Sequence, residues 1–233
     1  MTGFMALPRT LEPEVMDTAE EARDYDAMDH AEVNARFCDD LLAAGARPGR
    51  VLDVGTGTAL IPIELCRRDA RVEVDAIDLA GEMLALAERN VARAGLGGRI
   101  RVARMDAKAT PWEAATFDVV MSNSIVHHIP EPRQMLAEVW RLVRPGGVLF
   151  VRDLERPDDD RRVAELVARY APIPEAPADV RAMHERQRGL FEASLRASLT
   201  ADEVRATVAP LGIPADSVRS TSDRHWTLTC VKP

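Results

Sequence analysis

The stretch VLDVGTGTALIPIEL, Val51 to Leu65, limits what this chain can fold into more than any other. Val51, Leu52 and Val54 form a short, apolar, partly β-branched run that reads as a buried strand. Gly55 and Gly57 then remove Cβ atoms where the chain must turn sharply and where a ligand must approach the backbone. A helix is expected from Ala59, with Pro62 in its first turn, where a missing N–H costs little. Such a turn presents free backbone N–H groups and the positive helix end to a ligand.

From Arg50 onward strand-like and helical segments alternate, which predicts a parallel sheet with helices on both faces. Strands are expected at 51–54, 72–77, 99–104, 117–121 and 148–154, and helices at 59–68, 81–96 and 133–144. Pro145-Gly146-Gly147 is expected to stop the last of these helices. Before Arg50 there is no strand signal. Residues 14–44 read as one or two helices, with Val33, Phe37, Leu41 and Leu42 at helical spacing and Gly45 and Pro48 ending them. Their early part is acid-rich and holds Tyr25, Asp26, Asp29 and His30. After the fifth strand come a helix at 161–170, a proline-bent linker at 171–177 and a second helix at 179–199. The arginines of that second helix, Arg181, Arg186, Arg188 and Arg196, fit a solvated face better than a substrate anion site. Thr200 and Glu203 form a capping box for the next helix, and 216–222 and 225–231 read as two last strands paired antiparallel at the sheet edge.

Two acids select the ligand. Asp53 stands two places before Gly55, and Asp78 ends the run VEVDAID about 20 residues beyond the turn, where a carboxylate holds ribose hydroxyls. Leu60 occupies the third glycine position of a dinucleotide turn. A pyrophosphate gains nothing from the Asp53 carboxylate, whereas a cationic ligand does. The pattern D-x-G-x-G followed by an acidic strand end resembles the class I S-adenosylmethionine-dependent methyltransferases, and the helix, Pro-Gly-Gly, apolar strand run of 133–154 adds to it. The resembling block covers about Gly49 to Leu154, under half the chain.

The resemblance implies an α/β, Rossmann-like class I methyltransferase fold: a mostly parallel seven-stranded sheet with an antiparallel C-terminal hairpin and helices on both faces. It divides the chain into an N-terminal helical lid (1–48), a cofactor-binding core (49–155), a helical substrate cap (156–199) and a closing helix with edge hairpin (200–233). It implies S-adenosyl-L-methionine as cofactor and S-adenosyl-L-homocysteine as product. The cofactor site then comprises Asp53, Gly55, Thr56 and Gly57 at the turn and Asp78 on the ribose. Leu79 and Met83 lie against the adenine, Asp106 accepts from its amino group, and the N–H of Ala107 reaches a ring nitrogen. The backbone around Ser122 and Asn123 faces the ammonium, and Tyr25 or Asn34 contacts the amino-acid end. Similar small-molecule enzymes carry a His-His pair at the place of His127 and His128. An imidazole there takes a proton from a hydroxyl or thiol acceptor, or else packs to fix the loop.

Within that superfamily the chain looks closest to the ubiquinone/menaquinone methyltransferase-like group, although the quinone enzymes' own sequence blocks are absent. The acceptor is expected to be a small molecule offering O, S, N or activated C, attacked by in-line displacement. Nucleic acid is not expected as a partner: the net charge is −8, the pI about 5.2, and SNSI stands where base methylases carry Asn/Asp-Pro-Pro-aromatic. No apolar run approaches the roughly 20 residues that insert into a membrane, and the N-terminus lacks a signal peptide's apolar core, so the cytoplasm is expected. Cys38, Cys66 and Cys230 are scattered, as core filler, which disfavours a disulfide framework, zinc and an arsenite acceptor. No metal is expected at the histidines either, because no carboxylate stands at ligand spacing. Two alternatives are a nicotinamide-dependent oxidoreductase with an irregular turn and a non-catalytic scaffold that keeps the cofactor fold. Intact Asp53, Gly55, Gly57 and Asp78 speak against the scaffold.

Overall fold

In the computed structural model the described residues are 7–13, 17–28, 31–47 and 49–233, with the side chains of Glu21 and Asp179 omitted. Glu14, Asp29, His30 and Pro48, assigned above to the N-terminal helices and their stop, lie outside them. Seven strands form one sheet: β1 (Arg50–Val54), β2 (Glu73–Asp78), β3 (Ile100–Arg104), β4 (Phe117–Asn123), β5 (Val143–Leu154), β6 (Val218–Ser220) and β7 (His225–Val231). Their order is β3-β2-β1-β4-β5-β7-β6. The first five are parallel, and β7 runs antiparallel between β5 and β6. The expected sheet is therefore the observed one. Its order reverses between β1 and β4, and a crevice opens at the carboxyl ends of strands at such a reversal.

Side chains alternate across the sheet as strand geometry requires. Leu52, Val54, Val120, Leu149 and Val151 face one layer, built from α5 (Pro132–Leu142) and α8 (Ala201–Val208). Val51, Val119, Met121, Val148 and Phe150 face the other, built from α2 (Ala31–Ala43), α3 (Leu60–Arg68) and α4 (Gly81–Arg93). The apolar stripe of α2, Phe37, Cys38 and Leu41, belongs to this second core, and Phe37 meets Phe150 edge to face at 5.0 Å. Cys38, Cys66 and Cys230 are free and buried. Trp226 on β7 is fully buried in the first layer. Truncating it removes a large volume that the surrounding sheet cannot refill. Trp226→Ala is expected to cost about 3–5 kcal/mol, measurable by urea unfolding; a loss below about 1 kcal/mol would mean that the hairpin is peripheral to the core.

One boundary differs from expectation. The helix ends at Leu142 and β5 already begins at Val143, so Pro145-Gly146-Gly147 lies inside the strand segment. Phe117 pairs with Val143 but Val119 pairs with Val148, which leaves Arg144–Gly147 as a bulge. The end of the chain satisfies it: Gly146 and Lys232 N–H groups donate to Lys232 and Gly147 carbonyls at 2.8 and 2.9 Å. Lys232 Nζ donates to the Trp140 and Val143 carbonyls at 2.7 and 2.9 Å. A Cβ on Gly147 would lie 2.8 Å from the Asp118 carbonyl oxygen, so glycine is required there.

The remaining helices are α1 (Ala19–Asp26), α6 (Asp160–Tyr170) and α7 (Ala178–Ala197). Val163, Leu166 and Val167 of α6 and Leu195 of α7 form a separate small core with Leu154. The capping box of Thr200 and Glu203 starts α8 as expected. No described helix is long and apolar enough to cross a membrane.

Candidate active site

β1 leads into a turn held by its neighbour. The Gly55 and Thr56 N–H groups both donate to the Ile77 carbonyl at 2.9 Å, and Gly57 N–H donates to Asp78 Oδ2 at 2.9 Å. Gly55, Gly57 and Ala59 have φ of 71°, 53° and 61°. Left-handed backbone is costly for a residue with a Cβ, so Ala59, at the start of α3, is a strained position that the sequence does not announce. At Gly55 a Cβ would also overlap Ile125 of the loop after β4. Gly55→Ala is therefore expected to displace that loop and weaken cofactor binding at least about tenfold. Calorimetry with S-adenosylhomocysteine checks this, and unchanged affinity would remove Gly55 from the site.

The turn forms one wall of a cavity that opens to solvent. Gly55, Gly57, Asp78, Leu79, Met83, Asp106, Ala107, Asn123 and Tyr25 all line it. Asp53 and Thr56 line an adjoining recess with Asn34, and Tyr25, Gly55 and Asn123 border both spaces. Ser122 is the exception among the expected residues. It is buried, its hydroxyl donates to the Val54 carbonyl at 2.8 Å, and it lines neither space. Sequence reasoning missed Met105, Lys108, Ser124, Ile125 and Ile129, which complete the wall. The N-cap residue of α4, Ala80, offers no side-chain cap, and carboxylates from elsewhere serve its first turn. Asp78 Oδ1 accepts from Ala80 N–H at 2.9 Å, and Asp17 Oδ1, from before α1, accepts from Glu82 N–H at 3.0 Å.

The electrostatics favour a cation. Burial pushes the Asp53 carboxyl up to about 7, with the Asp78 charge adding to it, and burial raises Asp78 as well. Among the described residues neither pairs with a basic side chain. Burial next to these two acids pushes the Tyr25 phenol up to about 12, so it stays neutral. Asp106 is tied to Lys108, whose N–H donates to Oδ1 at 2.8 Å and whose Nζ lies 3.2 Å from it.

The two histidines part company. His128 lines the cavity; His127 does not, and its ring is buried. Asp153 on β5 receives the His127 ring Nδ1 at 2.5 Å, the His127 N–H at 3.0 Å and the Leu154 N–H at 2.6 Å. Burial alone would lower His127 and raise Asp153; their mutual attraction wins, holding His127 above and Asp153 below its ordinary value. Burial and the adjacent His127 push His128 down to about 4. Glu12, from the segment before α1, lies 3.4 Å from His127 Nε2 and 3.2 Å from His128 Nδ1. Arg9 of the same segment straps this loop down. Its guanidinium donates to the carbonyls of His127, Ile129 and Ala197 at 3.1, 2.9 and 2.6 Å.

Residues 51–147 match the family model described as a methyltransferase domain. A ubiquinone/menaquinone biosynthesis C-methyltransferase of Geotalea daltonii is 30% identical over 110 residues, covering 47% of this chain and 47% of that protein. A malonyl-[acyl-carrier protein] O-methyltransferase of Geobacter sulfurreducens is 32% identical over 195 residues, covering 82% and 66%. Matches to several curated relatives span only about half of their length. A SAM-dependent methyltransferase structure from Aquifex aeolicus superposes with a TM-score of 0.65 at 20% identity, covering 91% of this chain and 97% of that one, which is a likeness of fold.

Proposed function

The chain belongs to the class I S-adenosylmethionine-dependent methyltransferases of small-molecule type, and on that premise we propose that it moves a methyl group from S-adenosylmethionine to a small acceptor by in-line displacement. The observation that carries the reading is the meeting of Gly55, Asp78, Met83, Asp106 and Asn123 around one cavity at the carboxyl ends of neighbouring strands, beside an Asp53 with no basic partner among the described residues. When bound, the cofactor supplies an electrophilic methyl on a sulfonium, which leaves as a neutral thioether.

The chain's own residues bind and orient. Asp78 accepts from the ribose hydroxyls while its backbone contacts to Gly57 and Ala80 keep the carboxylate in place. Leu79 and Met83 flank the purine, Asp106 takes its amino group, and the Ala107 N–H meets a ring nitrogen. Asp53 and Asn123 face the ammonium, and Thr56 and Asn34 shape that recess. Tyr25 closes the cavity from α1, so residues 1–48 act as a lid on the cofactor. Residues 156–199 cap the acceptor side and residues 200–233 complete the sheet. His128 meets the acceptor, and His127, fixed by Asp153, holds the loop that presents it. Alignment and exclusion of water supply most of the catalysis. Free, buried cysteines suit a reducing compartment such as the cytoplasm.

Calorimetry on the folded chain tests the reading: S-adenosylhomocysteine binds with a stoichiometry near one and NADH gives no heat. Heat with NADH alone favours an oxidoreductase, and heat with neither defeats both. Transfer of label from S-adenosylmethionine into a small-molecule extract then separates an enzyme from a scaffold.

A further inference from the structure

We propose that Glu12, His127 and His128 form a binding site for one divalent zinc-class ion, which fastens the segment before α1 across the histidine loop. The candidate ligand atoms lie within 4.8 Å of one another. Glu12 Oε1 stands 3.4 Å from His127 Nε2 and 3.2 Å from His128 Nδ1. Bonds of about 2.0–2.1 Å in a tetrahedron put neighbouring ligand atoms about 3.3 Å apart, whereas a charged N–H···O bond is shorter, about 2.7–2.9 Å. The two Glu12 distances are those of neighbouring ligands around an ion, and His128 Nδ1, which also lies 3.4 Å from the Pro13 carbonyl, would turn to the ion on binding.

The surroundings supply what such a site needs. His127 Nδ1 lies 2.5 Å from the Asp153 carboxylate, so in the neutral ring the proton sits there and Nε2, 3.4 Å from Glu12 Oε1, carries the lone pair that an ion would take in place of a proton. A carboxylate behind a histidine is the usual support of a metal-binding imidazole. Asp153 is itself fixed by two backbone N–H groups. The Ser194 hydroxyl on α7 lies 3.1 and 3.4 Å from Glu12 Oε1 and Oε2 and holds that carboxylate in place. Glu12 and Asp153 are nearly inaccessible, with 9% and 1% of their side chains exposed. The nearest cation, Arg9, spends its guanidinium on carbonyl oxygens. A divalent ion balances the two buried charges. Three protein ligands leave a fourth position for water. Coordination through His128 Nδ1 would also fix that ring's proton on Nε2.

Of the three ligands only His128 borders the cofactor cavity, and metal binding is read without a methyl acceptor. The full chain, free of any histidine tag and treated with EDTA, is titrated with Zn²⁺ by calorimetry and with Co²⁺ by visible absorption. One ion per chain, a raised Tm and a Co²⁺ spectrum without a strong near-ultraviolet thiolate band are expected. Glu12→Gln and Glu12→Ala, at a residue that lines no part of the cofactor cavity, should each weaken binding by at least about 10²-fold while the variants still bind S-adenosylhomocysteine. If a variant fails to bind that nucleoside through misfolding, the other carries the test, and the cobalt spectrum of the unaltered chain stands by itself. Absence of stoichiometric binding, undiminished binding in both variants, or a thiolate band would overturn the site. Nucleoside binding that survives EDTA leaves the methyltransferase reading intact in any of those cases. An occupied metal site on a chain that binds no nucleoside would defeat that reading alone.

Discussion

Asp78→Ala is expected to weaken S-adenosylhomocysteine binding by at least about 10²-fold. The carboxylate has two tasks in the structure. It holds the Gly57 and Ala80 N–H groups, each at 2.9 Å, so that the glycine turn and the start of α4 share one anchor. It also forms part of the cavity wall, where the two ribose hydroxyls of the nucleoside would reach it. A hydrogen bond to a charged acceptor contributes about 1.5–3 kcal/mol, so losing two amounts to about 3–6 kcal/mol, a factor of roughly 10² to 10⁴. Two backbone N–H groups lose their acceptor in this variant, so a lowered Tm is expected beside the lost affinity. Calorimetry paired with thermal unfolding checks both halves. A loss of affinity under threefold, in a protein of unchanged Tm, would take Asp78 out of the site.

Asp53→Asn should produce opposite effects on stability and on binding. The buried carboxyl is raised to about 7, against roughly 4 in an unfolded chain. Below about pH 4 both states hold the proton and nothing is lost. Between about 4 and 7 the unfolded chain releases it while the folded chain keeps it, so stability falls as pH rises; above about 7 the full penalty applies. That penalty is up to about 4 kcal/mol, and the amide avoids it. The cofactor-free variant should therefore gain Tm at pH 8 and little at pH 4. A cationic ligand favours the ionised acid. Wild-type affinity should strengthen by up to about tenfold per pH unit from 5 to 7 and then level off, while the variant binds weakly and without that slope. A variant less stable than wild type at pH 8 with an unaltered affinity profile would refute this account.

What could be read from the chain was what is local. The glycine turn, the acid at the end of β2 and the capping box of α8 each depend on residues close in sequence, and all lie where spacing put them. The histidine pair was equally visible, but its working state was not. Asp153 reaches His127 across 26 positions, and Glu12 reaches it from 115 positions away, across a gap no ligand-spacing rule spans. No carboxylate stands at ligand spacing along the chain, and these two arrive only through the fold. Asp17, capping α4 from 65 residues away, escaped in the same way. The Pro-Gly-Gly signal was read as a stop, whereas pairing with the end of the chain draws it into a strand bulge. The resemblance put the backbone around Ser122 near the ammonium, and what sequence did not show is that its hydroxyl is spent inside the sheet, donating to the Val54 carbonyl. The packing of α6 and α7 on Leu154, and of the segment before α1 on the histidine loop, is set by tertiary contacts that periodicity does not encode.

The place of β7 has a consequence for biosynthesis. Made after β6 yet seated between β5 and β6, it is the piece that seals the sheet. Until Val231 clears the ribosome, the nascent chain carries a long, bare flank on β5, with Leu149 and Val151 waiting for Cys230 and Leu228. An open edge of that kind invites pairing between chains, so these are the seconds in which a holding chaperone matters most.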